Sequence, residues 1–93
     1  MKIDPFKFAV WLGERPLLRF KKHDTVQCPL GIYLRTTTDL GAFVYDSAIR
    51  LDGTRIKSPR WIRKFVKLVD RNYVKRPEIK AAYARALLRK ALT

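Results

Sequence analysis

The stretch SPRWIRKFVKLVDRNYVKR, Ser58 to Arg76, decides how the chain is read. Trp61, Ile62, Phe65, Val66, Leu68, Val69 and Tyr73 fall on one broad apolar face when wound at 3.6 residues per turn. Arg60, Lys64, Lys67 and Arg71, spaced i, i+4, i+7 and i+11, fall on the opposite face, with Arg63 flanking them. Ser58-Pro59 supplies a start signal, a capping residue followed by proline. The stretch therefore predicts an amphipathic helix whose outer surface is almost wholly basic. A solvent face that served only solubility would interleave glutamates in i, i+4 pairs. Here Asp70 is the one acidic residue, and the following helix has only Glu78.

The same imbalance runs through the second half of the chain. Of 93 residues, 21 are Lys or Arg and 8 are Asp or Glu, a net charge of +13. Residues 1–46 hold a net +2 and residues 47–93 a net +11. Lys75 and Arg76 carry the charge through the turn after the helix. Arg85, Arg89 and Lys90 add to it on the next helix, and Arg50, Arg55 and Lys57 on a hairpin before it. Such self-repulsion destabilises a fold, and a polyanion relieves it. Guanidinium groups grip phosphate bidentately and ammonium groups act as point charges. The expected binding residues are Arg60, Arg63, Lys64, Lys67, Arg71, Lys75, Arg76, Arg85 and Arg89, with nucleic acid (DNA or RNA) or an acidic protein surface as partner.

Outward from this helix, the pattern predicts a small α+β fold in one domain, residues 1–93. Composition allows it, because 47% hydrophobic residues provide core material that a disordered chain lacks. Asp4-Pro5 opens a first helix, Phe6 to Leu12, stopped by Gly13, with Phe8 and Trp11 inward. Pro16 to His23 reads as extended, with room for a short strand. Cys28-Pro29 opens a second helix with Leu30, Tyr33 and Leu34 inward; Thr36-Thr37-Thr38 and Gly41 end it. Ala42 to Leu51 has strand character, and Asp52-Gly53 is a type I′ hairpin signal before a returning strand, Thr54 to Lys57. The expected sheet is antiparallel, with two or three strands. A fourth helix is expected from Pro77 to about Leu92, burying Ile79, Tyr83, Ala86 and Leu87, so that the last two helices form a helical hairpin.

Enzyme chemistry finds little to stand on. The acidic residues are scattered over caps and turns, with Asp46 or Asp70 as candidate buried partners for arginine. No phosphate-cradling loop or carboxylate pair is present. One cysteine, Cys28, and one histidine, His23, preclude an internal disulfide and a standard zinc site, and no cofactor or metal is expected. Cys28 at a helix start favours a thiolate, but a small half-buried residue is the simpler reading. A Cys28/His23-Asp24 pairing lacks an oxyanion loop and reads as an exposed turn. No apolar run approaches the ~20 residues that span a bilayer, and the first ten residues do not form a signal peptide. A cytoplasmic setting, in a cell or a virus-infected host, fits.

Two nucleic-acid modes beyond simple charge are open. A helix-turn-helix would use the joint at Asn72 to Arg76, but no glycine marks that turn. Phe43 and Tyr45, alternating along a candidate strand, offer rings for base stacking, although the glycine-aromatic signature of an RNA-recognition motif is absent. Against nucleic acid stands a small interaction protein, of the kind a virus or mobile element directs at an acidic surface of a host complex. Peripheral membrane attachment through the basic helix is the weaker third reading.

Overall fold

The computed structural model describes residues 3–21, 28–45 and 48–93. Helix α1 spans Pro5–Gly13, strand β1 Arg19–Lys21 and helix α2 Pro29–Thr38. Strands β2 (Ala42–Val44), β3 (Ala48–Leu51) and β4 (Thr54–Lys57) follow. Helix α3 is Arg60–Tyr73, strand β5 Glu78–Lys80 and helix α4 Ala81–Ala91. The result is a small α+β domain whose helix and strand order is the one expected. No helix among the described residues is long and apolar enough to cross a membrane.

Local chemistry explains the element ends. The Asp4 carboxylate accepts a hydrogen bond from the Phe6 N–H at 2.8 Å, capping α1 ahead of Pro5. In α2 the Thr37 and Thr38 hydroxyls donate back to the Tyr33 and Leu34 carbonyls. This back-bonding lets two threonines finish the helix, and the stop itself is Asp39, left-handed at φ 59°. Asp52 and Gly53 have φ 48° and 85°. Positive φ at both central residues gives the expected hairpin turn its hand.

Two small antiparallel sheets form. In one, β2, β3 and β4 pair in sequence order, with Val44, Ile49 and Ile56 aligned on the inner face. The stretch from Ala42 to Leu51 forms two paired strands, and with β4 the sheet has three, within the two or three expected. In the other, β1 pairs with β5, Phe20 opposite Ile79. This pairing corrects the expected fourth helix. Residues 78–80 pair with 19–21, and the Ala81 and Ala82 N–H groups donate to the Leu18 and Pro16 carbonyls. A partner strand 59 residues away in sequence thus captures the chain after Pro77, and α4 begins at Ala81 instead. Its buried face also differs from the expected one: Ala84 and Leu88 join Leu87 in the core, while Ala86 is exposed.

Phe8 of α1 sits at the centre. Its ring lies 4.9 Å from that of Tyr33 on α2 and 5.4 Å, edge-on, from that of Phe65 on α3. Three helices therefore meet on one aromatic cluster, with Trp11 joining through Tyr33 at 5.5 Å. Ile62, Val66 and Val69 of α3 complete the inner face, while Trp61, Leu68 and Tyr73 are half-buried at its margins. The Tyr73 hydroxyl donates to the Phe20 carbonyl at 3.0 Å and ties the end of α3 to β1. Ser58 is buried but makes no cap hydrogen bond, and Pro59 holds the N-cap position of α3.

Candidate nucleic-acid interface

Helix α3 presents its outward side as a row of cations. Burial of Ile62, Phe65, Val66 and Val69 fixes the rotation of the helix, so Arg60, Arg63, Lys64, Lys67 and Arg71 must point to solvent, and all five are exposed. From Arg60 to Arg71 the row runs about 16 Å along the axis. Among the described residues an ion pair joins Arg19 to Glu78, at 3.0 Å, outside this row. Asp70 is exposed on the same helix, which removes it as a buried partner for arginine. Lys64 donates from Nζ to the Thr93 carbonyl at 3.2 Å. That contact places the start of α3 beside the end of α4, where Arg60, Trp61, Lys64, Ala91 and Leu92 border a shallow depression of about 360 Å³.

At the opposite end of the helix pair, the Tyr83 hydroxyl donates to Asn72 Oδ1 at 2.8 Å. Contacts at both ends make α3 and α4 antiparallel neighbours. The segment between them, 74–80, contains strand β5, so the joint is not the tight turn of a helix-turn-helix. Arg76 stacks its guanidinium over the Tyr83 ring, 4.5 Å from the centroid. Lys75 is exposed, and both line an open cleft of about 620 Å³ with Lys21, Tyr73, Val74 and Glu78. Lys21 was not anticipated there. Only the β1–β5 pairing brings it to the turn, and no local signal announces a contact of that range.

The α4 cations divide. Arg85 lies against the end of α1, its guanidinium 3.3 Å from where a Cβ on Gly13 would stand. Tyr83, two residues earlier and so about 200° around the helix, faces α3. Arg85 is therefore on the flank of α4 away from α3, with Arg89 exposed one turn further on. The five α3 residues share one stripe, Lys75 and Arg76 line the cleft beyond the end of the helix, and Arg85 does not join it.

Burial pushes the Cys28 pKa up, outweighing the nearby Gly31 and Leu30 backbone groups that would lower it. Among the described residues no group of His, Cys, Asp and Glu is arranged to hold a metal. His23-Asp24 and Asp46 lie outside the described residues.

The chain matches no protein-family model, no curated protein and no solved structure.

Proposed function

We propose that this is a non-enzymatic, cytoplasmic nucleic-acid-binding protein that holds a phosphate backbone along the exposed stripe of α3. The observation that carries the reading is the stripe itself: five cations on a rotation locked by the core, on a helix whose sequence holds one acidic residue, Asp70. Its ~16 Å length covers about five base-pair rises along a duplex axis. A rigid helix presents these charges without the ordering cost a flexible arm would incur. Lys75 and Arg76, in the cleft beyond the end of the helix, add two further cations nearby. A gel-shift series with duplex DNA, single-stranded DNA and RNA at low salt tests the reading: retardation that fades steeply as salt rises supports it, and no shift with any of them refutes it.

One observation favours a second reading, an interaction or inhibitor protein of viral or mobile-element type that docks on an acidic host surface. Phe6 and Val10 are strongly exposed on the face of α1 that also carries Gly13, against which Arg85 packs, and Leu17 is exposed beyond the end of the helix. Apolar anchors beside a cation are what a protein partner would use. A lysate pull-down separates the readings. Partners that survive nuclease treatment favour docking, and partners released by it favour nucleic acid.

A further inference from the structure

The second basic surface of the molecule is built differently from α3, and its construction names a narrower ligand. In the β2–β3–β4 sheet, Val44, Ile49 and Ile56 point inward. Side chains alternate along strands, so the outer face carries the residues between them. Phe43 stands opposite Arg50, and Arg50 opposite Arg55, forming one row across all three strands. The Tyr45 N–H donates to the Ala48 carbonyl at 2.9 Å, and Ala48 stands opposite Lys57, forming the next row. Two aromatic rings thus line one edge strand, and three cations line the other two. Phe43 and Tyr45 are 42% and 49% exposed, far more open than core aromatics such as Phe8 and Phe65.

Two features of this face are costly unless something binds it. Arg50 and Arg55 are directly opposed like charges, an arrangement that destabilises a sheet. Among the described residues no carboxylate lies on the face to compensate. Asp52, in the adjoining turn, is engaged instead with the Gly41 N–H at 2.7 Å. Exposed rings beside these charges add apolar surface to water. Cations spaced about 5 and 10 Å from the ring-bearing strand suit phosphates, and the rings suit bases that are not already paired and stacked.

We propose that the outer face of the β2–β3–β4 sheet is a stacking site for single-stranded nucleic acid. Phe43 and Tyr45 take unpaired bases, and Arg50, Arg55 and Lys57 take the backbone. A duplex keeps its bases inside and cannot use the rings, so this face selects single strands, whereas the α3 stripe reads only charge. The proposal rests on the nucleic-acid reading but uses a separate surface.

The test is fluorescence anisotropy with labelled oligo-dT, oligo-U and a duplex of ~12 nucleotides each, on the intact protein and two variants. One is Phe43→Leu with Tyr45→Leu, which keeps apolar cover on the sheet. The other is Arg60→Gln with Lys67→Gln and Arg71→Gln. Circular dichroism checks that each is folded. The expected result is that the leucine variant loses single-strand affinity by about 5- to 150-fold per stacked base, with duplex binding unchanged. The α3 variant is expected to lose affinity for all three. The two oligomers separate DNA from RNA as the strand preferred. Unchanged single-strand binding by a folded leucine variant overturns the sheet proposal and leaves the α3 reading intact. Loss confined to the leucine variant upholds the sheet and removes α3. No binding of any oligomer by the intact protein overturns both. Should the leucine variant not fold, ring resonances of Phe43 and Tyr45 in the intact protein decide: upfield shifts on adding oligo-dT or oligo-U support stacking, and unmoved resonances at saturation overturn it.

Discussion

Replacing Arg60, Lys67 and Arg71 with glutamine removes three of the five cations from the α3 stripe and leaves its buried face untouched. All three are exposed, and glutamine is nearly as good a helix former as arginine or lysine, so the direct cost in stability is a few tenths of a kcal/mol. Reducing the net charge of +13 by three relieves repulsion and offsets that cost. Binding should respond far more. Each phosphate neutralised on duplex DNA contributes about 0.9 to the slope of log K against log salt. Losing three contacts lowers the slope by about 2.7, which at ~0.1 M salt weakens binding by about 500-fold. A control variant, Lys7→Gln with Arg35→Gln and Lys80→Gln, has the same net charge and an intact stripe. Anisotropy titrations at several salt concentrations measure both. The reasoning is refuted if the folded stripe variant keeps the wild-type slope, or if the control weakens binding as much.

Further predictions concern the fold that holds the stripe in place. Phe65→Ala removes the α3 member of the aromatic cluster under the stripe and should cost about 3–5 kcal/mol; urea unfolding measures it, and a loss below ~1 kcal/mol would mean the cluster does not anchor the helix. Gly53→Ala should cost about 1–2 kcal/mol from conformation alone, since φ is 85° and no atom lies within 4 Å of a new Cβ. An unchanged melting temperature contradicts that turn. Burial raises the Tyr73 hydroxyl pKa above its ordinary value of 10.0, with Cys28 and Asp70 adding to the shift. The folded state therefore holds that proton more tightly than the unfolded chain. The contribution is complete below pH 10.0 and is lost as pH rises toward the folded value. Tyr73→Phe should be less sensitive to alkaline pH than the wild type; an equal fall in melting temperature for both excludes Tyr73 as the cause.

What could be read from the chain divides along the range of the interaction. Asp4-Pro5, Asp52-Gly53 and the 3.6-residue period of α3 act within a few residues, and each marks its element correctly. The α3 stripe was legible for the same reason, because burial of Phe65 and Val69 dictates where Lys67 and Arg71 point. What was not legible came from pairing at a distance. Pro77 is a good helix opener, yet β1 claims Glu78 to Lys80 first, which delays α4 and brings Lys21 to the turn. Arg85 and Arg89 share a basic composition with α3, but helix rotation and the contact with Gly13 place Arg85 elsewhere. Alternation marked Phe43 and Tyr45 as a pair, whereas the Arg50–Arg55 opposition beneath them needs the register of the hairpin.

The salt dependence of nucleic-acid binding by the unmodified protein tests the central claim most directly. Five phosphate contacts along α3 predict a slope of log K against log salt near −4.5 on duplex DNA, or about a 500-fold loss between ~50 and ~200 mM salt. A measurable affinity with a flat salt response, or no affinity for any nucleic acid at the lowest salt, would contradict it.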